Sequence, residues 1–327
     1  MSLGEMPWNI PLWFDIWLAG IAGGAYLVAF FANRFSGGAH QNLFRLAVYT
    51  GVPLAIIGVL LLVIDLGNPL WFWHLFTEFK PVAVMSMGTW ILMAWVIIAF
   101  IMMLSWMIIG DVSRKPKLYS SGMKGKVQWI SGALSWVNLI FAALLITYPG
   151  VLLASTNQAI WSSTLLVPAL FAASAVCTGV ALLIIMALVI NAVNRSSSNI
   201  LNSTVKWLFG STGWEISRET IGQLAKALVW VIAIELVVMV GYAIWLGISS
   251  AAGASEALSL LTAGSLALPF WLAVVLLGLL IPLVLLVINR GEGLAVKATS
   301  SVIAASATCV LLGGLALRAV MIIGGQL

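Results

Sequence analysis

The sequence predicts an all-α polytopic membrane protein, with eight transmembrane helices, both termini outside, and a single membrane-embedded helical domain over residues 1–327. Three observations carry this: long apolar runs, scarcity of charge, and basic residues confined to alternate gaps. A bilayer core about 30 Å thick needs about 20 mostly apolar residues per spanning helix. Runs of that length lie near 12–33, 43–64, 86–109, 130–149, 161–191, 222–248, 266–289 and 298–323. Apolar residues make up 62% of the protein and charged residues 8%, far below the roughly one quarter of a soluble domain.

The gaps fix the expected orientation. Arg34 and Arg45 follow the first run; Arg114, Lys115, Lys117, Lys124 and Lys126 follow the third. Arg195, Lys206, Arg218 and Lys226 flank the gap after the fifth, and Arg290 and Lys297 follow the seventh. The intervening gaps hold only Lys80. By the positive-inside bias the even-numbered gaps lie outside. The net charge of +5 is therefore a topology signal and an attraction to anionic lipid, not a nucleic-acid surface. The first run lacks a basic n-region and is long enough to span, so no cleavable signal peptide is expected.

Eight of the sixteen tryptophans have an ordinary explanation on this reading. Trp8, Trp13, Trp17, Trp71, Trp73, Trp90, Trp161 and Trp271 fall near outer helix ends, where an aromatic belt at headgroup level accounts for them. Gly20, Gly23 and Gly24 in the first helix allow close helix approach. Cys177 and Cys309 lie in apolar runs without CxxC spacing, which points to buried small residues and not to a disulfide or metal site. The inside loop 192–221 is the longest connection, and its Ile200, Leu201, Val205, Leu208 and Phe209 could line one face of a short interfacial helix.

Ionisable residues inside apolar runs are harder to dismiss, because each costs roughly 2.5–3.5 kcal/mol on insertion scales. Asp15 and Asp65 sit near the outer ends of helices 1 and 2. Arg318 lies in the outer half of helix 8, either snorkelling to the outer headgroups or serving a function. Glu235 stands mid-helix in helix 6, out of reach of either end, so it is protonated, paired with a buried base or facing water. His74 falls in the outer gap 65–85 and Tyr148 at the outer end of helix 4. Asp15, Asp65, His74, Tyr148 and Arg318 thus collect at one level. An aromatic pocket with a few donors and acceptors suits a flat apolar molecule with two carbonyls, such as a quinone. No haem and no metal are expected in this protein, since His40 and His74 lie on opposite sides of the bilayer.

Three stretches also resemble a known family. Asp65-Leu-Gly-x-Pro-x-x-Phe-Trp-His leads to Met85-Ser-Met-Gly-Thr-Trp90. Tyr148-Pro-Gly-Val-Leu-Leu-Ala is followed by Trp161-Ser-x-x-Leu-Leu-x-Pro168, Leu170-Phe, Ser174-Ala and Thr178-Gly179. The sequence ends with Leu317-Arg318 and Gly324-Gly325-Gln326. Together they resemble the membrane subunits of polysulfide reductase and of the NrfD-type nitrite-reduction system, over essentially the full length. The resemblance implies a multi-pass anchor in a prokaryotic cytoplasmic membrane. It would hold an iron-sulfur subunit at the outer face and, through it, a catalytic subunit of molybdopterin or related type. It would exchange electrons with menaquinone or ubiquinone. It assigns Tyr148, Asp65 and His74 to quinone binding, places Asp15 where relatives carry a polar quinone-pocket residue, and matches Glu235 to the acid of the family's Glu-Leu pair. The chemistry of Glu235, Asp15 and Arg318 suits proton transfer beside that pocket. The acidic residue that relatives carry before the Glu-Leu pair in helix 6 is replaced here by a region holding Gln223 and Lys226.

Two other readings remain. One keeps the redox complex but makes Asp15, Asp65, Glu235 and Arg318 a quinone-independent proton conduit. The other is a secondary transporter, against which stand the single midplane acid and the lack of an internal repeat. The aromatic loop 65–85 is expected to meet the iron-sulfur subunit, since Trp71, Phe72, Trp73, Phe76 and Phe79 would otherwise form an exposed apolar patch. Orientation is checked by single-cysteine labelling with an impermeant reagent in a background lacking Cys177 and Cys309. Position 120 should stay unlabelled from outside; labelling there would reverse the topology.

Overall fold

The computed structural model describes residues 8, 10–65, 84–114, 123–156, 160–161, 164–195, 215–250, 253–289 and 300–327. Helices α1 (Ile10–Phe35), α2 (Gln41–Asp65), α3 (Val84–Arg114), α4 (Met123–Ala154), α5 (Leu166–Arg195) and α6 (Arg218–Ile248) follow one another. A short α7 (Ala254–Thr262) precedes a π-helix, π1 (Pro269–Leu280), which continues as α8 (Ile281–Ile288), and α9 (Ser300–Gly324) is the last element. Eight of these helical stretches, counting π1 and α8 as one, are long and apolar enough to cross a membrane.

The described helices match the apolar runs with three differences. The run 161–191 enters helix only at Leu166, because Ile160 and Trp161 form a turn and Pro168 suits the first helical turn. A helix, α7, occupies the gap between the sixth and seventh runs, where no run is long enough to predict one. The seventh span is π-helical over its first twelve residues, and the Ile281 N–H donates to Leu276 O, five residues back. Nothing in the apolar pattern distinguishes that register. Most of the connection 192–221, the connection that holds His74, and the carboxylate of Asp65 lie outside the described residues.

α1 and α5 form the centre. α1 packs on α2, α4, α5 and α9, while α5 packs on α1, α4, α6 and α9. Without a hydrophobic force between helices in lipid, close packing of small residues drives their association. A Cβ on Gly24 would lie 2.0 Å from the Ala175 carbonyl oxygen, and one on Gly179 would lie 2.3 Å from the Ala25 nitrogen. The two backbones therefore touch. π1 and α9 meet in the same way, with a Cβ on Gly313 falling 2.1 Å from the Gly278 Cα.

Polar side chains tie the helix ends. Asn191 donates to Ile216 O (2.8 Å) and accepts from Ile216 N (3.1 Å), joining the end of α5 to the start of α6. Ser217 then caps α6 by accepting from Thr220 N. At the opposite end of the bundle Gln326 accepts from Trp8 N and donates to Trp8 O, each at 3.0 Å, so the segments near the two termini meet. Trp161 belongs to this knot and not to a headgroup belt. It is 3% exposed, stacks on Trp8 at 5.1 Å, and donates from Nε1 to Met321 O. Trp13 is likewise buried. Both cysteines are free, Cys177 being buried and Cys309 half-buried.

The α1–α5 contact predicts a sharp response. Gly24→Ala should destabilise the folded protein by about 1–3 kcal/mol through overpacking. Gly241→Ala, whose added Cβ meets no atom within 4 Å, should leave stability unchanged or raise it. Thermal unfolding of the two variants in the same detergent checks this. Equal midpoints would show that the crossing has slack.

Candidate functional site

Two polar sites emerge near the centre, on opposite faces of α1. The first is a cleft toward the end of the bundle that carries the termini. Leu12, Asp15, Ile16 and Ala19 of α1 form one wall, and Gly88, Thr89 and Leu92 of α3 another. Leu145, Tyr148, Pro149 and Leu152 of α4 face them, with Leu62 of α2 at the edge. The cleft is open at its mouth, and its walls enclose about 740 Å³ of space, the solvent-facing part included. Its walls are overwhelmingly apolar, and the polar groups are few: the Asp15 carboxyl, the Tyr148 phenol and the Thr89 hydroxyl.

Two glycines create this geometry. A Cβ on Gly88 would fall 1.8 Å from the Tyr148 ring, so the phenol occupies the place a side chain would take on α3. A Cβ on Gly58 would fall 2.7 Å from Asp15 Oδ1, so α2 makes room for the carboxyl. Asp15 is only 7% exposed, and its Oδ1 has no hydrogen-bond partner. A buried polar atom left unpaired costs about 1–3 kcal/mol, which a bound donor or water would recover.

The second site lies between α1, α5, α6 and α9. Arg318 is 1% exposed, so it does not snorkel to a headgroup layer. Its Nη1 donates to Gly314 O (2.7 Å) and to Ser174 Oγ (3.1 Å), and the guanidinium stands 5.9 Å over the Phe171 ring. Its Nη2 lies 2.9 Å from where a Cβ of Gly20 would be, so α1 also yields space to it. Glu235, 3% exposed, lines one gap with Ser174 and stands beside Cys177. Ser174 thus adjoins both the acid and the base, and no direct ion pair joins them. Glu235 shares with Thr178, Gly278 and Gly314 an internal gap of about 190 Å³, too narrow to take a water molecule without movement.

The structure therefore separates the sequence candidates into groups. Asp15 and Tyr148 share the cleft; Glu235 and Arg318 share the second site; His74 and the Asp65 carboxylate are not described. Sequence reasoning singles out none of Gly58, Gly88, Thr89 and Cys177 as site residues. A signal exists for one set: Ser174, Cys177 and Thr178 recur at i, i+3 and i+4, which places them on one face of a helix. Gly58 and Gly88 matter by what they lack, and only the fold reveals it.

Known proteins resemble this one along its length. The family model described as Polysulphide reductase, NrfD matches residues 2–327. Protein NrfD of Escherichia coli is 26% identical, the alignment taking in 99% of the present sequence and 96% of that protein. A component of the polysulfide reductase of Wolinella succinogenes is also 26% identical, over 98% of the present sequence and 94% of its own. A component of the selenate reductase of Mesobacillus selenatarsenatis is 28% identical over a shorter stretch, 24% of the present sequence and 18% of its own. With a match spanning nearly every residue and eight helices fit to cross a membrane, the protein belongs to the NrfD, polysulphide reductase, family of membrane subunits.

Proposed function

We propose that this protein is the quinone-interacting anchor subunit of a respiratory oxidoreductase complex in a prokaryotic inner membrane. It exchanges electrons with an iron-sulfur subunit docked where the termini meet, the outer face on the charge pattern. The observation that carries this reading is the cleft: an apolar slot holding a phenol and a buried carboxyl whose Oδ1 has no partner. A quinone headgroup is flat and apolar, with carbonyls that accept hydrogen bonds and, once reduced, hydroxyls that donate them. It supplies two-electron, two-proton chemistry. Relatives named for polysulfide and selenate reductases support the setting in a redox complex.

The residues divide the work. Tyr148 donates from its hydroxyl to a headgroup oxygen and fixes the ring in the slot. Asp15 exchanges the proton, its carboxylate accepting it from a hydroxyl or, protonated, giving it to a carbonyl oxygen. Leu12, Ile16, Leu92 and Leu145 exclude water and grip the ring and the start of its tail. Asp65 and His74 are assigned to quinone binding on the family resemblance alone. Across α1, Glu235 and Arg318 hold a proton and a compensating charge beside Ser174. This second site also suits the alternative reading, a conduit without quinone, because none of its residues lines the cleft.

The test uses the purified complex with quinol or quinone as substrate. Tyr148→Phe should weaken the apparent affinity by about 1–2 kcal/mol, roughly 5- to 30-fold, with assembly intact. Gly88→Ala should do the same by displacing the phenol, although it removes no polar group. Asp15→Asn should lower turnover more than affinity. Unchanged quinone kinetics in all three would exclude the cleft and favour the quinone-free conduit.

Glu235→Gln keeps the side chain's shape while removing its proton. Turnover or proton uptake should fall, with quinone affinity near that of the wild type. Wild-type turnover and proton stoichiometry in this variant would leave Glu235 with a structural role only.

A further inference from the structure

A second cleft opens at the far end of the bundle, where Arg34, Arg45, Lys126, Arg195 and Arg218 gather. It lies between the last turns of α1 and the first turns of α4, with Phe44 of α2 behind, and encloses about 770 Å³ including its open side. None of its residues belongs to the two sites described above. Four aromatic side chains line it. Phe30 and Phe44 are buried and form the floor, whereas Trp129 is 75% exposed and Trp136 52% exposed. Trp136 meets Phe30 edge-on at 5.0 Å, which holds the wall in place. In a membrane such a slot is filled by an acyl tail.

The polar edge says which lipid. The Arg34 guanidinium stands 5.9 Å over the Trp136 ring, an arrangement that leaves its N–H groups free for an anion. Lys126 lies three residues before Trp129 and seven before Ala133, another lining residue, and so shares their face of α4. Asn33 also lines the cleft. Its Oδ1 is buried with no donor, so turning the amide toward a bound headgroup breaks no hydrogen bond. Two cations and an amide acceptor suit a headgroup that combines an anionic phosphodiester with a hydroxyl donor. Basic pockets between transmembrane helices on the cytoplasmic side bind anionic lipids by this chemistry.

We propose that this cleft is a specific site for a phosphoglycerol lipid of the inner leaflet. Its phosphate lies between Arg34 and Lys126, its glycerol hydroxyl reaches Asn33, and its acyl tail runs along Phe30, Trp129 and Trp136. The inference is independent of quinone use.

Gly132 offers the cleanest test. It lines the cleft, and a Cβ there meets no atom within 4 Å, so a large side chain fills the slot without disturbing the helix packing. The full-length protein is reconstituted in vesicles of equimolar phosphatidylglycerol and phosphatidylcholine, extracted into mild detergent, and its retained lipid measured by native mass spectrometry. The wild type should retain phosphatidylglycerol in preference to phosphatidylcholine. Gly132→Phe should abolish the preference, and Arg34→Ala should reduce it roughly fivefold. Arg195→Ala, which removes a cation of the same end that pairs with Glu215 at 3.8 Å, should leave it unchanged. The proposal is overturned if the wild type shows no preference, if Gly132→Phe retains phosphatidylglycerol normally, or if Arg195→Ala loses as much as Arg34→Ala. Release of the bound lipid by inorganic phosphate alone would also overturn it, reducing the site to an ion site.

Discussion

The backbone contact between α1 and α5 is the constraint from which the rest of the molecule follows. Gly24 and Gly179 bring the two helices together until no Cβ fits between them. In lipid this is how helices gain dispersion energy, since apolar side chains are equally content facing acyl tails. With α1 pinned at the centre, its two sides face different halves of the bundle. One side turns Asp15 and Ala19 toward α3 and α4, where the cleft lies. The next residue, Gly20, turns toward α5 and α9, where Arg318 needs space. Small residues in α1 therefore do two jobs: they allow the crossing, and they leave room for a guanidinium that lipid could not solvate.

Burying Arg318 imposes conditions on its neighbours. A lone cation in a low-dielectric interior is expensive unless hydrogen bonds and an opposite charge meet it. Gly314 supplies a carbonyl, Ser174 a hydroxyl, Phe171 a ring face, and Glu235 the opposite charge nearby. Glu235 faces the same difficulty from the other sign and stands beside Ser174 and Cys177. The pair is thus set apart and not fused. An acid set apart from its base can change its protonation with less disturbance than one locked in a bidentate ion pair, and this is the basis of the proton-handling role proposed for Glu235.

The limits of legibility follow from the same physics. The eight spans and the candidates Glu235 and Arg318 are readable because an ionisable group in an apolar run carries a cost that any single sequence displays. Their meeting is not, since it takes place beside Ser174 on a third helix and depends on which helices touch. The common level of Asp15 and Tyr148 is readable from run lengths, but the cleft between them exists because Gly58 and Gly88 lack side chains. Trp161 reads as a belt residue because composition cannot tell a tryptophan at a headgroup from one stacked on Trp8, far earlier in the sequence. The π-register of 269–280 leaves no trace in hydropathy at all.

That π-helix bears on how the second site can move. Long π-helical stretches are rare and often found at functional positions, because the wider register is less favourable than α and survives only where neighbours impose it. Here Gly278 meets Gly313 backbone to backbone, and Val274, Gly278 and Leu279 form the wall opposite Glu235. The gap they enclose admits no water as it stands. A helix already displaced from its preferred register needs less movement to widen that gap than a regular α-helix would. The α1–α5 crossing offers no such slack. If Glu235 gains or loses a proton during turnover, the yielding element is then the π1–α9 side, while α1, and the cleft it lines, stays fixed.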